Sequence, residues 1–121
     1  MSNKIKLQLE LMSEGVTELE ADGVVIPAVA GDITILSERA PSVFATDFGV
    51  VKLLDSNMQV KDSWYVSAGV ADAAQGVVKL LVGRAVKTSD ITKDEAAKLA
   101  ASDVFYRMIE DKLAGKTESY I

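Results

Sequence analysis

The sequence predicts a mainly β protein with a C-terminal helix. An N-terminal β-sandwich of about eight to ten strands is expected over residues 1–88, and a helical region with one main α-helix and no full second helix over residues 89–121. Three observations carry this. The first residues alternate apolar and polar, the following apolar runs are short and separated by turn residues, and after Thr88 the composition shifts to Ala, Lys, Asp and Glu.

In Lys4–Met12, Ile5, Leu7, Leu9 and Leu11 alternate with Lys4, Lys6, Gln8 and Glu10. Successive side chains of a strand point to opposite faces, so this period of two predicts a half-buried strand. Val24-Val25-Ile26, Ile33–Leu36, Val50–Leu54, Trp64–Ser67 and Val77–Val82 are short and rich in β-branched or aromatic residues, as strands are. Asp22-Gly23, Gly31-Asp32, Phe48-Gly49, Asp55-Ser56-Asn57 and Gln75-Gly76 fall between them. Glycine supplies positive φ at such corners, and Asp or Asn bonds the local backbone. Trp64 and Tyr65 alternate sides of their strand, so at least one belongs to the core.

Thr92, with Glu95 three residues on, has the form of a capping box, and Gly115 stands where a helix would stop. A single helix from about Lys93 to about Ala114 is expected. At helical spacing Leu99, Tyr106, Ile109 and Leu113 share one face, and Ala97, Ala101, Val104 and Met108 lie nearly opposite. The first face suits packing inside the protein. The second is either alanine chosen for helix propensity or a partner-facing surface.

Composition removes several function classes. The 121 residues include no cysteine and no histidine, so thiol chemistry, zinc sites of the usual kind and imidazole acid–base catalysis are excluded. Thirteen Lys and Arg against eighteen Asp and Glu give a net charge of −5, spread along the chain, which argues against nucleic-acid binding. The N-terminus lacks the apolar core of a signal peptide and the Arg-rich character of a transit peptide. No apolar run approaches the roughly eighteen residues that cross a bilayer as a helix, so no direct membrane insertion is expected.

The remaining candidates for chemistry are weak. Asp32 as a general base with Arg39 as an anion clamp would need neighbouring carboxylates or a histidine, and charged turn tips are ordinarily solvated. Asp90, Asp94 and Glu95 lie near a helix start, where they complement the macrodipole. Val82-Gly83-Arg84 lacks the glycine spacing and the Lys-Ser/Thr end of a phosphate loop. No catalytic residue, metal site or cofactor is expected.

One ordered series is more specific. Ile26-Pro27 leads into Gly31-Asp32, then Ile35-Leu36, Ala40-Pro41, Gly49-Val50-Val51 and Val66-Ser67-Ala68-Gly69, with a helical tail after them. In this the chain resembles, from about residue 4 to about residue 110, the epsilon subunits of F-type ATP synthases, counterparts of the mitochondrial delta subunit. The resemblance implies a non-catalytic rotor subunit of the central stalk that couples the membrane c ring to the gamma subunit. It implies that Ala28, Val29, Ala30, Gly31 and Asp32 meet the polar loops of the c ring. Glu38, Arg39, Ala40 and Pro41 would lie near gamma. The partners so implied are gamma and the c ring in a hetero-oligomer. The implied location is peripheral, on the cytoplasmic side of a bacterial inner membrane, since a start at Met without a presequence favours a bacterial over an organellar origin.

The chain departs from the family pattern in three places. Ser37-Glu38-Arg39-Ala40-Pro41 stands where the family commonly has Pro-Gly-His-Ala-Pro, giving a permanently charged corner. Some bacterial members bind ATP through an Ile/Leu-Asp-x-x-Arg-Ala pattern, but here Thr92 replaces Asp and Glu95 replaces Arg. The charge at the phosphate position is reversed, so no ATP sensing is expected. The family tail is usually a hairpin of two helices whose second can block ATP hydrolysis. One helix alone does not carry that inhibition over, and Ala97, Ala101, Val104 and Met108 could then dock on gamma or another subunit. The alternative reading is a free-standing β-sandwich adaptor or ligand-binding module with the helix as a lid.

Overall fold

The computed structural model describes residues 4–12, 15–37, 41–100 and 103–113. The chain divides into two compact units, Met1–Thr88 and Ser89–Ile121.

The described residues of the first unit form ten strands: β1 Ile5–Leu11, β2 Gly15–Ala21, β3 Gly23–Ala28, β4 Gly31–Ile35, β5 Ser42–Thr46, β6 Gly49–Leu54, β7 Val60–Val66, β8 Gly69–Ala74, β9 Val77–Val82 and β10 Ala85–Lys87. Their hydrogen-bonded order is β10-β7-β6-β3-β5-β8-β9-β1-β2, with β4 paired to β3. All pairs are antiparallel except β1 with β9. The odd-numbered residues Ile5, Leu7 and Leu9 of β1 are buried, as the alternation predicts, together with Val24 and Ile26 of β3, Val51 and Leu53 of β6, and Val78, Leu80 and Val82 of β9. These side chains from both halves of the strand order form one apolar core.

The halves can share a core because the path bends at β3. That strand pairs with β6 through Gly23, Val24 and Val25, but with β5 only at Ala28 opposite Thr46. Pro27 sits in the gap between these two pairings. A proline has no N–H to give a ladder, so it is tolerated where a strand changes partners. The ring closes against Gly49, where a Cβ would stand 2.5 Å from Pro27 Cβ. A second close approach is at Gly69, where a Cβ would stand 2.0 Å from the Leu81 carbonyl oxygen. At the β8–β9 corner Gln75 and Gly76 have φ of 49° and 78°, the two positive values that a two-residue hairpin turn needs.

Trp64 packs partly buried against the core. Tyr65, on the opposite side of β7, is also buried, and desolvation pushes its phenol above the ordinary tyrosine range. At the sheet edge Lys4 Nζ bonds Asp22 Oδ2 at 2.9 Å. That hydrogen bond, reinforced by the carboxylate charge, raises the Lys4 pKa.

The helical unit differs from the single helix that the alanine-rich pattern suggests. There are two helices among the described residues, α1 Lys93–Ala100 and α2 Val104–Leu113. Thr92 caps α1 as the capping box predicts, accepting the Glu95 N–H on Oγ1 at 3.2 Å. Asp103 caps α2 in the same way: its Oδ1 accepts the Phe105 N–H at 3.0 Å and its carbonyl accepts the Arg107 N–H at 3.1 Å. An aspartate competes for the backbone inside a helix and stabilises a helix start, so Asp103 begins a new helix instead of continuing the old one. Asp103→Ala should remove about 1 kcal/mol from the helical unit, measured as lost helical circular dichroism with the strand signal retained.

Interrupting the helix also changes which residues are inside. Ala96 and Ala100 of α1 and Phe105 and Ile109 of α2 are buried, whereas Leu99 and Leu113, expected on the packing face, are about two-fifths exposed. The two helices pack on each other, and alanines four residues apart allow their axes to come close. Ala97 and Val104 are exposed and Met108 is half-buried. Ala101, Ala114 and Gly115 lie outside the described residues.

Candidate functional site

Ala28, Val29, Ala30, Gly31 and Asp32 form the tip of the β3–β4 hairpin. Ala28 pairs with Gly31 and Pro27 with Asp32, so Val29 and Ala30 are the two loop residues. Gly31 has φ 123°, a value that L side chains rarely adopt. The tip projects but its root is fixed: the Val29 N–H donates to the Ala45 carbonyl at 3.3 Å and the Asp47 N–H to the Pro27 carbonyl at 2.8 Å. Val29 is 66% exposed, and Ala30, Gly31 and Asp32 are exposed beside it. An apolar residue offered on a rigid tip next to a carboxylate suits contact with another molecule better than catalysis. Among the described residues no group of three or more carboxylates is placed to hold a metal ion.

The strand registers bring other corners to the same end of the sandwich. Thr46 pairs with Gly69, Gly69 with Val82, Val82 with Leu11, and Leu11 with Gly15. The corners Asp47-Phe48, Ser67-Ala68, Gly83-Arg84 and Met12 therefore share that end with the hairpin tip. Ser67 and Arg84 tie two of them together, the Ser67 N–H donating to the Arg84 carbonyl at 3.0 Å and the Arg84 N–H to Ser67 Oγ at 2.9 Å. Met12 is 78% exposed. No sequence spacing links Met12, Asp47, Ala68 and Arg84 to Asp32; only the sheet does.

Pro41 lies at the other end. β4 runs from Gly31 to Ile35, which pairs with Val24 near the Asp22 and Leu54 end of the sandwich, and the chain returns through Pro41 into β5. The hairpin tip and Pro41 are thus at opposite ends of the strands. Glu38, Arg39 and Ala40 lie outside the described residues.

Close to the hairpin-tip end of the strands lies a surface that sequence reasoning missed. On the outer face of β5, β8, β9, β1 and β2, one row runs across the registers Ala45–Val70, Val70–Leu81, Leu81–Glu10 and Glu10–Val16. Val70 is 47% exposed, Leu81 42% and Val16 57%, and Val43 on the same face of β5 is 69% exposed. Single exposed valines are ordinary, but Val70 and Leu81 are direct cross-strand neighbours, with Glu10 between Leu81 and Val16, and exposed apolar residues gathered on neighbouring strands mark a candidate protein contact.

Comparison with known proteins agrees with this architecture. The family model described as ATP synthase, Delta/Epsilon chain, beta-sandwich domain matches residues 4–88. The chain belongs to the ATP synthase delta/epsilon family. The ATP synthase epsilon chain of Rhizobium etli is 32% identical over 109 residues, covering 85% of this chain and 76% of that protein. The ATP synthase epsilon chain of Rhodopirellula baltica is 33% identical over 87 residues, covering 70% of this chain and 66% of that protein. A mitochondrial ATP synthase structure from Euglena gracilis, containing OSCP, F1 and the c ring, has a chain of the same fold: TM-score 0.69, 19% identity, 92% of this chain and 75% of that one. The delta/epsilon sandwich of this chain therefore ends where β10 ends, and its hairpin tip, its Pro41 corner and its outer apolar row are all features of that domain. Among the described residues no helix is long and apolar enough to cross a membrane.

Proposed function

We propose that the protein is a non-catalytic central-stalk subunit of an F-type proton-translocating ATP synthase, linking the gamma subunit to the membrane c ring. Family membership across the whole sandwich carries this reading. Within it, the exposed Val29–Asp32 tip meets the c ring, and the Glu38–Pro41 corner meets gamma. The hairpin tip and Pro41 stand at opposite ends of the strands, which suits a subunit held between two partners. Val70, Leu81 and Val16, towards the tip end of the outer sheet face, and Val43, two residues beyond Pro41 on the same face, offer gamma a further surface, because exposed apolar side chains on neighbouring strands are most stable when a partner covers them. The protein is peripheral to the cytoplasmic side of the bacterial inner membrane and needs no cofactor.

The start of the helical unit departs from the family's ATP-binding pattern. With Thr92 engaged as a cap and Glu95 at the following turn, no ATP sensing is assigned to this segment.

The test is co-purification with gamma and the c ring, using charge reversals to separate the contacts. Asp32→Lys should weaken coupling to the ring and lower proton-driven synthesis while gamma still co-purifies. Arg39→Glu should weaken gamma binding, because complementary charges set which surfaces dock. A protein that ignores gamma altogether, or reversals that leave assembly and synthesis unchanged, would reject the assignments.

A further inference from the structure

The last strand of the sandwich is its shortest, three residues paired to β7 through Ala85–Val66, Val86–Tyr65 and Lys87–Trp64. Three pairs at a sheet edge hold weakly without help from side chains. Here side chains at the strand's end supply it. Lys87 Nζ lies 3.2 Å from Asp62 Oδ2 and 5.7 Å from the centre of the Trp64 ring. Thr88 Oγ1 lies 2.7 Å from Ser63 Oγ and donates to the Ser63 carbonyl at 3.3 Å. Asp62 and Trp64 share one side of β7 and Ser63 points to the other, so the end of β10 is gripped from both sides. Immediately beyond it a 3-10 turn, Thr88–Asp90, leads to the capped start of α1.

From this geometry we infer that Asp62, Ser63, Trp64, Lys87 and Thr88 form a releasable clasp that fixes where the chain leaves the sandwich. Closed, the connector to the helical unit starts at Thr88. Open, β10 peels from β7 while the remaining strands keep their partners. Freeing Ala85–Thr88 would add roughly 13 Å of extended chain to the tether. The materials of the clasp suit release: the ion pair is about one-third exposed on each side, where salt screens it, and the hydroxyl pair is only part-buried. The inference rests on these contacts alone and stands whether or not the subunit assignments above hold.

Limited trypsin digestion and amide hydrogen exchange of the full chain test it. Arg84, just before β10, and Lys87, its last residue, serve as reporters, with Lys52 in β6 and Lys79 in β9 as references for global opening. Thr88→Val combined with Asp62→Asn should speed cleavage at Arg84 and Lys87, and exchange at Val86, by about tenfold, the effect expected from losing one part-buried hydrogen bond and one ion pair. Cleavage at Lys52 and Lys79 should not change. Thr88→Ser, which keeps the hydroxyl, should behave as the parent, and about 1 M salt should reproduce part of the effect in the parent. Unchanged rates at Arg84 and Lys87 in the double variant would overturn the inference. Equal acceleration at all four sites would also overturn it, because β10 would then open only with the whole sandwich.

Discussion

Gly69→Ala is expected to be the most damaging single substitution at a glycine of this protein, costing about 3 kcal/mol or more. The new methyl carbon would lie 2.0 Å from the Leu81 carbonyl oxygen and 3.0 Å from Val82 Cγ1. A backbone carbonyl held in the β8–β9 ladder cannot turn aside as a flexible side chain can, so the strands must separate. Total stabilities of small domains are about 5 to 15 kcal/mol, and Gly69 also sits beside Thr46, at the junction between β5 and β8 that supports the hairpin tip. Gly49→Ala should rank second, since its obstacle is the Pro27 ring at 2.5 Å, which can shift with its hairpin. Gly15→Ala meets nothing within 4 Å and suffers only from its φ of 91°. Urea unfolding of the three variants should give the order Gly69, Gly49, Gly15, and a Gly69 variant as stable as the Gly15 one would refute the packing argument.

The largest expected effect on binding comes from the outer sheet face. Val70→Asp with Leu81→Asp should weaken binding of gamma by about 30-fold or more, the scale of losing an apolar hot spot. Because both side chains are already exposed, the cost to folding should be about 1 kcal/mol or less for each. The measurement pairs a gamma pull-down with urea unfolding of the isolated protein. Loss of binding with the fold intact supports the contact, and undiminished binding moves gamma away from this face. The Asp32→Lys variant is the complementary control, since it should leave gamma binding in place.

These two experiments depend on features of different legibility. The alternation in Lys4–Met12 announced β1, the Gly and Asp corners announced hairpins, and Thr92 announced the start of α1, because each signal is local. The exposed Val29-Ala30-Gly31-Asp32 tip was legible for the same reason: a Gly-Asp break between two apolar runs has few places to go except a hairpin end. The Asp103 cap is also a local signal. It was hidden because the alanine-rich pattern on its N-terminal side and the aromatic and aliphatic residues on its C-terminal side both suit a helix, and periodicity alone did not show the restart.

The outer apolar row had no local signal at all. Val16, Val43, Val70 and Leu81 each look like one more apolar residue in an apolar strand, and their alternation fixes only that they oppose the core residues of their own strands. They become a surface through the parallel pairing of β1 with β9 and the antiparallel pairing of β9 with β8 and of β8 with β5. The corners that share an end with Asp32 are assembled by the same registers.

The sequence by itself thus determined six of the ten described strands, several of their corners, the start of the helical region and the exclusion of histidine and cysteine chemistry, since these follow from side-chain type and from periodicities of two and 3.6 residues. β2, β5, β8 and β10 were not singled out, their runs being too short or too polar to stand out. Only the tertiary structure decided the strand order, the bend at Pro27, the apolar row and the grip on β10. Those depend on pairings between segments far apart in the chain, where backbone hydrogen bonds are alike for every residue and the choice of partner is made by how the buried faces fit together.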